Sequence, residues 1–267
     1  MTRGRQKRPL SCDSAFKQIA RAALRDVQRA HLMALGGAPE GIHRMRIGFT
    51  RLAAARKFFA AMVTDATWPL LKREIRWAHR VLGEARDNDV ALAFADEIAG
   101  RHIRAIDRRV RFSHTRVARA LRSTRFRALL IALRAWIDHG PWTARSHVAN
   151  AGFCEISLDA FVARRLAKWS RRLARYAHPM KVRREHRARI TAKRYRYMVD
   201  ALDEVGIDIS RSQWRKAKAA RQLQDALGDL RDLRRVRHEI GMRGKSALKA
   251  RKHRLLRQSK AALRKFS

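Results

Sequence analysis

Apolar residues recur every three to four positions along the chain, the spacing of helices that bury one face. No convincing run alternates apolar and polar residues as a half-buried strand would, so the expected fold class is all-α. Proline and glycine mark where the helices stop. A first helix is expected over about 14–35, ended by Gly36-Gly37, and a second from Ala38-Pro39-Glu40 to about 63. A third covers about 68–82, after which Asp87-Asn88-Asp89 is suited to cap a new helix. Arg-rich helices follow to about 138. The clearest break is His139-Gly140-Pro141-Trp142, and the polar stretch to about 155 reads as a connection. Helices recur over about 157–176, from Pro179 to about 205, over 210–227, and beyond Asp229. The stretch 244–267 is basic and amphipathic, compatible with a last helix or a flexible arm.

Two motifs occur twice. His43-Arg44-Met45-Arg46-Ile47 returns as His186-Arg187-Ala188-Arg189-Ile190, and Leu82-Gly83-Glu84-Ala85-Arg86-Asp87 returns as Leu227-Gly228-Asp229-Leu230-Arg231-Asp232 at almost the same offset. A long internal repeat dictates architecture, so one basic site built from both halves is expected. The halves are placed at about 10–138 and 156–245, with a linker at 139–155 and a basic C-terminal helix or tail at 246–267.

Charge sharpens this. Lys and Arg number 63 against 23 Asp and Glu, a net charge of +40, while 46% of residues are hydrophobic, enough for a packed core. Such a surplus favours polyanions, namely nucleic acid, anionic lipid or inorganic polyphosphate. Cys12 and Cys154 lie far apart without metal-ligand spacing, and no apolar stretch approaches a membrane span. No metal or cofactor is expected, and the reading is of a soluble, cytoplasmic chain.

The cations fall on helical stripes. His186, Arg189, Lys193 and Arg196 share one, with Tyr197 at its edge. In the first half the stripe carries His43, Arg46, Thr50 and Ala53, with Lys57 a turn further, while Met45, Phe49, Leu52 and Phe59 lie opposite. Arg73, Arg76 and Arg80 line the next helix, matched by Lys218, Arg221 and Asp225. Guanidinium forks suit phosphate oxygens. Arg86/Asp87 and Arg231/Asp232 are read as loop-fixing ion pairs and caps. Asp87-Asn88-Asp89 lacks the glycine and distant glutamate of a calcium loop. No Walker A loop or two-metal carboxylate cluster is evident, and no zinc finger, RNP or helix-turn-helix signature.

These motifs resemble the CHAD family, the conserved-histidine α-helical domain. The matching residues are His43, Arg46-Ile47, Arg51-Leu52 and Leu82-Gly83-Glu84-Ala85-Arg86-Asp87-Asn88-Asp89 in the first half. The second half matches with His186, Arg189-Ile190, Lys193-Arg194-Tyr195-Arg196-Tyr197 and Leu223-Gln224-Asp225-Ala226-Leu227-Gly228. Thr50 and Ala53 stand where the family pattern has arginines. The resemblance implies two four-helix bundles related by a pseudo-twofold axis. It also implies non-enzymatic binding of inorganic polyphosphate in a basic groove between them, with recruitment to polyphosphate granules. Some members carry an N-terminal triphosphate-tunnel domain, and this chain has neither room for one nor its Glu-x-Glu-x-Lys opening. The residues expected at the site are His43, Arg46, Arg51, Lys57, Arg73, Arg76, Arg80, His186, Arg189, Lys193, Arg194, Arg196, Lys218 and Arg221. The partner is polyphosphate or another polyanion, with nucleic acid as the second reading.

Overall fold

The structure is a computed structural model and describes residues 10–99, 104–148, 157–176, 182–240 and 245–266. All regular elements among these are helices: α1 (Cys12–Leu35), α2 (Pro39–Phe58), α3 (Trp68–Ala99), α4 (Arg104–Arg122), α5 (Thr124–His139), α6 (Pro141–Val148), α7 (Leu158–Ala174), α8 (Val182–Glu204), α9 (Arg211–Ile240) and α10 (Lys245–Arg264). The chain is all-α.

Helix α1 starts where the Ser11 hydroxyl accepts from the Ser14 amide, with Asp13 in the first turn facing the positive end of the helix dipole. It ends at Gly36, and Gly37 takes φ +81°, a left-handed conformation that costs glycine little. Pro39 then opens α2. The two helices touch at Gly48, where a Cβ would lie 2.6 Å from Val27 Cγ2 and 2.9 Å from the Ala23 carbonyl oxygen. Only glycine permits that approach.

Helix α2 stops at Phe58 rather than near 63. Phe59 and Val63 turn inward through a bend, and both are fully buried. The bend delivers the buried Asp65, which accepts from the Thr67 and Trp68 amides at 2.9 and 3.0 Å and so caps α3. Its other oxygen accepts from Trp136 Nε1 on α5 at 2.8 Å. Asp65→Ala should therefore lower stability by about 2–3 kcal/mol, a lost cap plus an unpaired buried indole N–H. Denaturant unfolding measures this.

Two expectations are corrected. Helices α3 and α9 run unbroken through both Leu-Gly motifs, so Asp87 and Asp232 lie inside helices and cap nothing. Buried residues continue through both motifs: Leu82 and Ala85, with Leu227 and Leu230, enter the main core, and Ala91 and Leu233 then meet in a second, smaller cluster. A lone interior glycine costs only about 1 kcal/mol, too little to end a helix so anchored.

The break at Gly140 is real, since it closes α5, but the chain turns helical again at once in α6. Trp142 is wholly buried, and its indole donates to the Trp136 carbonyl at 2.9 Å. The rest of the expected connection, with Cys154, lies outside the described residues, and so does Pro179, the expected start of the helix that carries His186. The basic C-terminal stretch is a helix: Leu255, Ala262, Leu263 and Phe266 enter the main core, and the Phe266 ring meets Tyr195 edge-on at 5.9 Å.

One core runs through both halves. Phe58 of α2 packs on Phe161 and Trp169 of α7, with ring centroids 5.8 and 5.3 Å apart. The four motif-bearing helices pack in a cycle, α2 on α3, α3 on α9, α9 on α8 and α8 on α2. That cycle brings the four motifs together.

Candidate functional site

Where the cycle closes, each motif arginine lies over a motif glycine. A Cβ on Gly83 would meet Arg46 Nη2 at 4.0 Å, and one on Gly228 would meet Arg189 Nε at 3.6 Å. These are ordinary contact distances, so a methyl would fit and anything larger would push the guanidinium away. The Leu-Gly motifs thus serve as seats for the guanidinium groups, not as turns.

Arg46 (α2) and Arg189 (α8) are largely buried, and each has a buried Nε with no hydrogen-bond partner. Burial, then in each case neighbouring arginines, depresses both; Asp87 opposes for Arg46, and Asp232 and Asp87 for Arg189. Arg46 Nη1 stands 3.8 Å from Asp87 Oδ1. Arg231 (α9) holds that carboxylate more closely, at 3.0 Å, and Asp232 at 2.9 Å. Burial works against the Arg231 charge, but Asp232 and Asp87 outweigh it and raise its pKa.

Lys193 (α8) sits among these cations. Among the described residues its amine makes no ion pair, and it lies 5.6 Å from the centre of the Tyr197 ring. Burial first, then Arg189, Arg46, Arg196 and Arg231, lowers its pKa to about 7. Arg196 lies over the same ring at 4.5 Å, and its Nε too is buried without a partner. In the first half Thr50 replaces the lysine, and its hydroxyl donates to the Arg46 carbonyl oxygen at 2.7 Å.

Two histidines at this centre are held toward the neutral form. His43 is half-buried, its pKa lowered by burial and then by Arg86, with Arg46 and Lys193 contributing. His79 (α3) is pushed down to about 4 by burial, then by Arg46 and Lys193. Asp87 and Asp232 are outnumbered by Arg46, Arg86, Arg189, Lys193, Arg196 and Arg231. Such a centre can receive anionic oxygens from donors on α2, α8 and α9.

A family model for the CHAD domain matches residues 18–240, which include all four motifs. The chain belongs to the CHAD domain family. The crystal structure of the CHAD domain from the plant Ricinus communis superposes with a TM-score of 0.70 at 25% identity, covering 98% of this chain and 97% of that one. No curated protein sequence matches. Among the described residues, no helix of this CHAD chain is long and apolar enough to cross a membrane.

The CHAD fold sorts the expected residues into groups. Arg46, Arg189, Lys193 and Arg196 come together, with His43 beside them. Arg221 lies at the edge of that group, since its charge and that of Arg196 both act on half-buried Asp200. His186, Arg76, Arg80 and Lys218 are exposed, with Arg76 and Arg80 on the α3 face that carries Gly83. Arg73 bonds to Glu74 at 3.3 Å. Arg51 instead ties α2 to its neighbours through Asp26, at 2.9 Å, and Glu204. Lys57 and Arg194 form a separate basic group with Arg165 and Arg172 of α7.

Sequence reasoning left out His79, and it assigned Arg86, Asp87, Arg231 and Asp232 to loops. The Arg231–Asp87 pair crosses between the halves instead. The repeat itself carried that signal, because a motif duplicated together with the histidine motif belongs in the same place.

Proposed function

We propose that this CHAD domain binds inorganic polyphosphate, without catalysing its turnover, in the basic centre shared by α2, α3, α8 and α9. The observation carrying this reading is that Arg46, Arg189 and Arg196 each keep a buried Nε unpaired while Lys193 has no carboxylate partner among the described residues. Burying unpaired cationic donors is costly, and such groups persist in a fold when something else supplies the anion. Closely spaced phosphates satisfy several donors at once, and contacts after the first are effectively intramolecular. The exposed Arg76, Arg80, Lys218 and Arg221 would extend the track for a longer chain. Recruitment to polyphosphate granules follows from multivalent binding of this kind.

Competition tests the reading. Labelled long-chain polyphosphate should be displaced by unlabelled polyphosphate at concentrations orders of magnitude below those needed for pyrophosphate or ATP. Duplex DNA and RNA should compete weakly at the same salt. Equal competition by DNA would move the assignment to nucleic acid.

A further inference from the structure

We propose that Lys193 is a modification site, acylated at Nζ by acyl phosphates whose phosphate docks on the surrounding guanidinium groups. The inference rests on the anion-binding reading above and adds to it a reactive group and a class of reagent.

The geometry has two parts. The first is the amine. Lys193 is held on α8 with no carboxylate among the described residues to pair it, and the groups facing it are Arg46 and His43 from α2, His79 from α3, Arg189, Arg196 and Tyr197 from its own helix, and Arg231 from α9. Both histidines there are depressed by burial and adjacent cations, so the Tyr197 ring is left as the contact that favours an ammonium, against burial and four arginines that disfavour it. With a pKa of about 7, much of this amine is unprotonated at neutral pH and can act as a nucleophile, whereas an ordinary lysine near 10.4 is almost wholly protonated.

The second part is the anion seat. Guanidinium groups surround the amine, Arg46 from α2, Arg189 and Arg196 from its own helix α8 and Arg231 from α9, and the Nε atoms of the first three are buried without a hydrogen-bond partner. A small phosphate dianion on these donors would hold an attached carbonyl within reach of Nζ, replacing a bimolecular encounter by a positioned one. The Nζ lone pair attacks the carbonyl carbon, a C–N bond forms, the C–O bond to phosphate breaks, and inorganic phosphate leaves. The nitrogen loses its proton to the departing phosphate or to water. No oxidant or further reactant is needed.

The consequence is regulatory. The amide cannot be charged, so acylation removes a cation from the middle of the site. A cell rich in acyl phosphate would thereby weaken polyanion binding.

The test uses the full chain and acetyl phosphate at pH 7.5, with peptide mass spectrometry over time. Lys193 should be acetylated at least about tenfold faster than surface lysines such as Lys249 and Lys260, because its unprotonated fraction is far larger even after a lower intrinsic nucleophilicity is allowed for. Tripolyphosphate should suppress the reaction at Lys193 and leave the surface lysines unchanged. Acetylated protein should bind labelled polyphosphate at least fivefold more weakly, on the order of one lost charge-assisted contact. Lys193→Arg, which has no acylable amine at that position, should show a polyphosphate affinity that acetyl phosphate treatment no longer changes. Equal rates at Lys193 and the surface lysines, with polyphosphate binding intact, would overturn the acylation and leave the binding function standing. Equal rates together with no polyphosphate binding would overturn both. Fast acetylation of Lys193 that tripolyphosphate does not slow would show that no anion seat directs it.

Discussion

Replacing Arg46 and Arg189 together by glutamine should weaken polyphosphate binding about a hundredfold or more at physiological salt, and should leave the free protein as stable as before or more so. The two effects have opposite signs for one reason. In the free protein both guanidinium groups are buried against other cations with an Nε unpaired, so their charges disfavour the folded state. In the complex the same donors meet phosphate oxygens, at about 1.5–3 kcal/mol for each hydrogen bond to a charged group. Asp87 is not abandoned by the change, because Arg231 still holds it at 3.0 Å. The log–log dependence of affinity on salt should flatten by roughly 1.4–1.8, taking the nucleic-acid value of about 0.7–0.9 per phosphate contact as a guide. Titration by fluorescence anisotropy at several salt concentrations, beside thermal melts, provides both readings. Parallel losses of affinity and stability would make these arginines structural, and the site would have to lie elsewhere.

Affinity for polyphosphate should fall as pH rises above 7, by up to about tenfold per pH unit from Lys193 alone. The free protein holds the lysine near pKa 7, and a bound phosphate pulls it back toward its usual value near 10.4. Binding therefore takes up a proton between those limits and is weakened as protons become scarce. Below pH 7 the lysine is charged in both states and this term is flat. The folding equilibrium runs the other way. The unfolded chain binds the extra proton across the same window, so this group makes the free fold more stable as pH rises from about 7 toward 10, and that stability is lost as pH falls. Lys193→Arg should remove both slopes. Titration calorimetry in buffers of different ionisation enthalpy reads the proton uptake directly, and no uptake at pH 8 would contradict the assignment.

The C-terminal cations sit on α10, which is pinned to the core by Leu255, Ala262, Leu263 and Phe266. Removing this helix should therefore cost stability, whereas neutralising exposed Lys249 and Lys260 should leave both fold and site nearly unchanged.

Much was legible in the order of residues. Helical periodicity fixed the fold class, since buried positions on a helix must recur at its pitch. The paired His-Arg and Leu-Gly motifs pointed to one shared site, and Arg46, Arg189, Lys193 and Arg196 do meet. Periodicity also says which residues share a face, but not which faces meet. Arg51 and Lys193 look alike as basic residues on motif helices, yet Asp26 and Glu204 neutralise one while the other has no ion-pair partner among the described residues. The glycines at 83 and 228 read as places to stop, because local propensity takes no account of a guanidinium arriving from another helix. Their use as seats, the Asp87–Arg231 pair between halves and the depressed Lys193 all follow from burial and from charges distant in sequence. Only the packing of α2, α3, α8 and α9 against one another could supply those.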